Sequence, residues 1–181
     1  MSKSDIHCSK WLSYVLRHRP DEVGLSLDPH GWVEVSELLE AAQQKKIPLD
    51  KEKLLFIVKT NDKKRFSLSE CGKKIRANRG HSIPVELSLP ALTPPDVLYH
   101  GTATRFIKAI RQEGVKSMRR QHVHLSEDTA SAHEVGTRHG VPHILAVDAK
   151  SMAAAGYKFY QAIDSIWLTD QVPAKYIHWD I

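Results

Sequence analysis

The sequence predicts an α+β protein in two lobes, and three observations carry that expectation. Apolar residues recur at helical spacing in three successive stretches of the N-terminal part, and a basic hairpin follows them. Between residues 78 and 95 the periodicity fades and Pro84, Pro90, Pro94 and Pro95 accumulate, four of the nine prolines in the chain. Beyond them, short β-type runs dominate, interrupted by a few helical ones. The lobes are therefore expected at residues 1–90, including the start of the linker, and 91–181.

In the first lobe Ser4 is positioned to cap a helix running to about Arg19. Cys8, Trp11, Leu12, Val15 and Leu16 form its buried stripe. Pro20 ends it, because the residue before a proline avoids helical geometry. Residues 32–35 alternate as a short strand. Ser36 then caps a second helix carrying Leu38, Leu39 and Ala42, and Asp50 caps a third carrying Leu54, Leu55, Ile57 and Val58. Thr60-Asn61-Asp62 breaks that helix. Strands at 65–68 and 73–77 follow, joined by a turn ending in Gly72. Three helices and then a basic hairpin is the order of a winged helix, a domain type that commonly binds nucleic acid.

In the second lobe, strands are expected at 97–100, 123–125, 143–147, 157–161, 166–168 and 176–179. Helices are expected at about 104–113, closed by Gly114, at about 129–137, and at 150–155. The order is too irregular for a βαβ repeat.

Charge narrows the function. The 181 residues carry 26 Lys and Arg against 21 Asp and Glu, a formal net of +5. Residues 1–90 hold a net of +4, concentrated between Lys59 and Arg79, where eight basic residues face only Asp62 and Glu70. Such an excess attracts a polyanion or serves simply as a solvated face. No run approaches 18 apolar residues, the N-terminus lacks an apolar signal region, and Cys8 and Cys71 stand isolated. The expectation is a soluble, cytoplasmic protein with reduced thiols, acting as a monomer without a membrane.

P-loop, GxGxxG, GxSxG and CxxC patterns are absent. His122-Val123-His124 puts two imidazoles on one side of a strand, but no Cys or carboxylate stands at ligand spacing nearby, so no metal is expected. Tyr99-His100-Gly101-Thr102 ends a strand just before a helix, where glycine permits close backbone approach and threonine adds a hydroxyl at the helix start. Residues 118–126, Met-Arg-Arg-Gln-His-Val-His-Leu-Ser, carry more polar groups than an ordinary strand needs, and Arg138-His139-Gly140 adds a basic pair before a turn. Arg17-His18-Arg19-Pro20 places three basic groups at a helix C-terminus. The helix dipole favours one or two cations there without requiring the histidine. Arg65 lies on the first strand of the hairpin, a position that also suits plain phosphate contact.

Taken in order, these segments resemble one family, the NAD-dependent RNA 2'-phosphotransferases. The resemblance rests on S-K-x-L-S-Y-V-L-R-H-x-P (Ser9–Pro20), G-L-x-L-D-x-x-G-W-V (Gly24–Val33), T-N-D-K-x-R-F-x-L-S-E (Thr60–Glu70) and I-R-A-x-x-G-H-S (Ile75–Ser82). It continues in Y-H-G-T (Tyr99–Thr102), R-x-H-V-H-L-S (Arg120–Ser126), V-G-x-R-H-G (Val135–Gly140) and F-Y-x-x-x-x-x-I-W-L-T (Phe159–Thr169). The departures are local: Cys71 replaces a usual acidic residue, Arg79 a usual glutamine, and Ile163-Asp164-Ser165 a more glycine-rich turn.

The resemblance implies a winged-helix lobe that binds RNA and phosphate, joined to an ADP-ribosyltransferase-like lobe that binds NAD. Its catalytic quartet maps onto Arg17, His18, Arg65 and Arg120, with motif spacing to His122 favouring Arg120 over Arg119. His100, Gly101, Thr102, His124, Ser126 and Arg138 are the expected NAD contacts. The implied reaction passes an internal RNA 2'-phosphate, of the kind left by tRNA splicing, to NAD through an ADP-ribosylated RNA. It yields RNA 2'-hydroxyl, nicotinamide and ADP-ribose 1'',2''-cyclic phosphate, with NAD as co-substrate and no metal. Many ADP-ribosyltransferases use a late glutamate to assist a neutral nucleophile, whereas here the last glutamate is Glu134. A phosphate is already anionic and needs no such base. Two alternatives stay open: ADP-ribosylation of terminal phosphates on nucleic acid, and a winged-helix DNA-binding regulator. The third helix offers mainly Lys51, Lys53 and Lys59, which suit phosphate contact better than base readout.

Overall fold

The computed structural model describes residues 2–61, 63–162 and 165–179, and the chain divides into two compact units, Met1–Ser88 and Leu89–Ile181. Asp62, expected in the helix break, and Ile163-Asp164 of the variant turn lie outside the described residues. The fold is mixed α and β with small antiparallel sheets. No described helix is long and apolar enough to cross a membrane.

The first unit opens with α1, Lys3–Arg17. Its cap is Ser2 rather than the expected Ser4. Ser2 Oγ accepts the Asp5 N–H at 3.1 Å and the Asp5 carboxylate accepts the Ser2 N–H at 2.7 Å, a reciprocal box that satisfies two otherwise orphaned donors. Ser4 instead accepts from Lys53 Nζ at 2.7 Å. A single 3-10 turn, Pro20–Val23, leads to β1, Val33–Glu34, and α2, Val35–Gln44. Ser36 does not cap α2. The helix starts one residue earlier, at Val35, whose N–H donates to the Lys73 carbonyl at 2.7 Å, so a hairpin backbone group satisfies its first donor. Asp50 caps α3, Lys51–Lys59, by accepting the Lys53 N–H at 2.8 Å. Then come β2, Phe66–Leu68, and β3, Lys74–Ala77, in the sheet order β1-β3-β2. Cys8, Leu12, Leu16, Leu38, Leu54, Ile57 and Ile75 are fully buried between helices and sheet.

The second unit centres on β4, Val97–Ala103, and β7, Pro142–Asp148, paired antiparallel from Val97↔Asp148 to Ala103↔Pro142. Between them run a 3-10 turn (Thr104–Phe106), α4 (Ile107–Glu113), β5 (Val115–Lys116), β6 (Val123–Leu125) and α5 (Thr129–Thr137). After β7 come α6 (Ala149–Ala154), β8 (Tyr160–Gln161), β9 (Trp167–Thr169), β10 (Gln171–Val172) and β11 (Ile177–His178). Two sheets have the orders β11-β7-β4 and β6-β9-β8, and β5 pairs with β10. The β5–β10 pair is two residues long on each side, too short to announce itself by alternation. Leu98, Leu125, Leu145, Met152 and Phe159 form the core.

Strand β4 runs three residues past the expected His100, because it stays paired with β7 and packs under α5. That packing is close enough to dictate two glycines. A Cβ on Gly101 would run into the Ala132 carbonyl of α5, and one on Gly136 would lie 2.7 Å from the Thr102 carbonyl. Gly101→Ala is therefore expected to lower stability by about 3 kcal/mol or more, since backbone must move. Gly72→Ala, at φ 68 with open space around it, should cost about 1–2 kcal/mol. Urea unfolding of the two variants checks the ranking, and equal losses would show that α5 yields easily.

Candidate active site

In the first unit, helix α1 closes at His18, whose N–H donates to the Tyr14 carbonyl at 2.9 Å. The Arg17 carbonyl accepts the Ser82 N–H at 2.9 Å, and Ser82 Oγ lies 2.9 Å from His18 Nδ1. The segment after β3 is thus fastened to both residues by one serine. Gly80, at φ 82, adopts there a left-handed conformation open to glycine without strain; the space beside Arg17 would admit a Cβ in ordinary contact, 3.5 Å from Nη1.

Arg65 is held just ahead of β2 rather than on it. Its N–H and its Nη1 both donate to Asn61 Oδ1 at 3.3 Å, and its carbonyl accepts the Asn78 N–H at 2.9 Å. Asn78 Nδ2 also donates to the Lys64 carbonyl at 2.6 Å. Lys64 sits at φ 37, a conformation a non-glycine residue adopts only under restraint, and the two buried asparagines supply it.

His81 lies buried, 1% exposed, with neither ring nitrogen hydrogen-bonded among the described residues. Burial, and then the positive charges of Arg17, His18 and Arg76, push its pKa down to about 4. It is therefore neutral at pH 7. The Arg76 guanidinium stacks 4.6 Å from the Trp32 ring centroid, and burial lowers its pKa without discharging it.

The basic patch is partly spent inside this unit. Lys74 Nζ lies 3.8 Å from Glu34 and 4.0 Å from Asp28, Arg76 stacks on Trp32, and Arg79 Nη1 donates to the Lys63 carbonyl at 3.5 Å. Lys59, Lys64 and Lys73 are exposed.

In the second unit Tyr99 and Ser126 exchange backbone N–H···O bonds, each of 2.8 Å, and this lays His100 beside His124. His100 Nδ1 bonds to the His124 carbonyl and His124 Nδ1 to the His122 carbonyl, each at 3.1 Å. A carbonyl only accepts, so both rings carry a proton on Nδ1, and in the neutral ring Nε2 bears the lone pair. Burial lowers the His100 pKa. The bond to the His124 carbonyl opposes this, while the charges of His139 and Arg120 reinforce it. Arg120 has its own pKa lowered by burial and then by Arg138. Arg138, at the end of α5, is paired with Glu134 at 2.7 Å.

Of the expected residues, then, His100, His124, Ser126, Arg120 and Arg138 come together in this unit, and Arg17 and His18 adjoin in the first. Arg120, not Arg119, is the arginine whose charge reaches His100. Thr102 does not start a helix: it is an interior strand residue, 5% exposed. The close approach at Gly101 is to α5, so the reason for a glycine there is packing. Asn61, Asn78, His81 and Ser82 are the supporting residues that spacing did not single out. Asn61, His81 and Ser82 stand at named positions of the T-N-D-K-x-R-F and I-R-A-x-x-G-H-S motifs, which was their only signal, while Asn78 falls at an unspecified position. Chemically, Arg17 and Arg65 offer charge-assisted donors suited to a phosphate, with His18 titratable beside Arg17. The second unit sets imidazole acceptors beside cations, the donor and acceptor set that ribose hydroxyls and a pyrophosphate require. Among the described residues, no group of three or more His, Cys, Asp or Glu is placed to hold a metal ion.

Residues 3–171 match the model of a family described as RNA 2'-phosphotransferase, Tpt1 / KptA family. The chain is 52% identical over 169 residues to a "Probable RNA 2'-phosphotransferase" of Flavobacterium johnsoniae, covering 93% of each chain. It is 52% identical over 169 residues to one of Agrobacterium fabrum, covering 93% of this chain and 91% of the relative. With one of Pectobacterium atrosepticum it shares 46% identity over 178 residues, 98% and 99% of the two chains.

Burial of His81 makes stability depend on pH. The unfolded ring takes its proton near 6.5 and the folded one only near 4, so the contribution is complete above pH 6.5 and lost as pH falls toward 4. The loss reaches about 3 kcal/mol. Urea unfolding at pH 7.5 and 4.5 should show a drop, and His81→Phe should make it smaller than in the parent, with the buried His100 contributing to what remains. A variant with the same pH slope as the parent would assign the loss to other groups.

Proposed function

The chain belongs to the RNA 2'-phosphotransferase, Tpt1 / KptA family, and from that membership we propose that it takes an internal 2'-phosphate from RNA and transfers it to NAD. The observation that carries this reading is the span of the family match, residues 3–171, which contains every residue given a role here. The first unit acts as a winged-helix lobe that binds RNA and phosphate. Its support is the order of three helices before the β2–β3 hairpin and the exposed Lys59, Lys64 and Lys73. The second unit acts as an ADP-ribosyltransferase-like lobe that binds NAD as co-substrate. His100 and His124 accept hydrogen bonds from ribose hydroxyls through Nε2, and Ser126 and Arg138 complete the contacts. Gly101 and Thr102 shape that strand under α5.

The chemistry follows from charge. The 2'-phosphate, held by Arg17 and Arg65, attacks the ribose carbon that bears nicotinamide and expels it. The neighbouring ribose hydroxyl then attacks phosphorus, releasing RNA with a free 2'-hydroxyl and ADP-ribose 1'',2''-cyclic phosphate. His18 moves a proton to or from an oxygen in this second step. In the first step the phosphate loses negative charge, so the cations stabilise the starting dianion at least as well as the transition state. In the second step charge builds on the phosphoryl oxygens they hold, and only such differential stabilisation accelerates a step.

Arg65→Ala should therefore slow the second step by roughly 10²–10³, the usual effect of removing one preorganised donor, and accumulate RNA carrying ADP-ribose on its 2'-phosphate. A gel time course with radiolabelled 2'-phosphorylated RNA and NAD reads both steps. Uniform slowing without that species would sink the assignment of roles, and ADP-ribosylation of terminal phosphates alone would favour the capping activity. Separately, the double variant Lys59→Glu, Lys73→Glu should weaken RNA binding at low salt and flatten its salt dependence, with NAD binding unchanged. An unaltered salt slope would make these lysines a solvated face.

A further inference from the structure

We propose that Ser82 is a positioning residue for His18: its hydroxyl accepts the His18 Nδ1 proton and thereby assigns proton exchange with substrate to Nε2. The inference rests on the reading that His18 handles a proton in the second step.

Three observations carry it. Ser82 Oγ and His18 Nδ1 are 2.9 Å apart, within hydrogen-bond range. The Ser82 N–H is bonded to the Arg17 carbonyl at 2.9 Å, so the serine is tied to the end of α1 and cannot drift from the ring it faces. The residue before it, His81, is fully buried, which anchors the segment from the other side.

The direction of the bond follows from the cycle His18 must run. A hydroxyl can donate or accept, so the distance alone admits both directions. If Ser82 donated to Nδ1, the bond would have to reverse whenever the ring became protonated. If Nδ1–H donates to Ser82, the same bond serves the neutral ring and the imidazolium, and only Nε2 changes state. Ser82 is exposed, so its own O–H finds water as acceptor. His81, held neutral, adds no positive charge beside the ring, and Tyr14 lies with its ring centroid 6.5 Å from that of His18. The arrangement repeats, with a hydroxyl, what backbone carbonyls do for His100 and His124. It is the orienting role that a second-sphere acceptor plays for any catalytic imidazole.

Long-range nitrogen–proton NMR of the histidine rings at pH 8 tests this, with His18 assigned by loss of its signals in His18→Gln. The parent protein should show His18 as the Nδ1–H form. Ser82→Ala should move it to Nε2–H, and Ser82→Thr should restore Nδ1–H. In the RNA time course, Ser82→Ala should slow the second step roughly 10-fold, less than the 10²–10⁴ of outright loss of acid–base catalysis, and leave the first step unchanged. Ser82→Thr should recover it. An Nε2–H ring in the parent protein, or a tautomer unaffected by Ser82→Ala, overturns the proposal. The NMR needs no turnover, so a parent protein inert toward NAD and 2'-phosphorylated RNA would refute the functional reading on its own.

Discussion

Arginines crowded at one end of a unit repel one another, and the fold has to supply the restraint that their mutual repulsion removes. In the first unit the α1 C-terminus supplies part of it. The carbonyl end of a helix favours positive charge, and Arg17 and His18 stand there with Arg76 also near His81. Ser82 then ties down the exposed carbonyl of Arg17. His81, placed beside Arg17 and Arg76, is kept neutral by burial, so it adds no further charge to theirs. Arg65 is restrained separately, by amides that carry no charge at all. In the second unit Arg138 is compensated by Glu134, one helical turn back, while the Arg120 pKa is lowered by burial and then by Arg138.

Neutral partners recur wherever orientation matters. Backbone carbonyls hold the Nδ1 protons of His100 and His124, and the Asn61 side chain holds Arg65. A carboxylate in any of these places would bind a cation more strongly but would cancel its charge. Carbonyls and amides fix direction and leave the local field positive. This is consistent with the absence of any glutamate after Glu134. Where Glu127 does receive hydrogen bonds, at 2.7 Å from Trp167 Nε1 and 3.1 Å from Gln161 Nε2, its partners are uncharged.

How much was legible in the sequence depended on range. The apolar stripe of α1, the Asp50 cap, the hairpin of β2 and β3 and the span of α5 rest on neighbours within a few residues, and the sequence by itself determined them. So did family membership, carried by ordered motifs over nearly the whole chain. Misplacements occurred where a partner distant in sequence won. Helix α2 starts ahead of Ser36, at Val35, whose N–H meets the Lys73 carbonyl, and β4 continued past His100 because β7 paired with it and α5 pressed on Gly101. In the candidate site, Arg17, His18, Arg65, Arg120 and the histidines could be named from their types and order. What those side chains can do was decided only in three dimensions. The tautomers of His100 and His124, the neutrality of His81 and the restraint of Arg65 each depend on a group 13 to 24 residues away or on the exclusion of water, except the bonds from His124 to His122 and from Arg65 to Asn61, which are local. Hydrogen-bond direction and burial are properties of assembled neighbours, and no spacing along a chain records them.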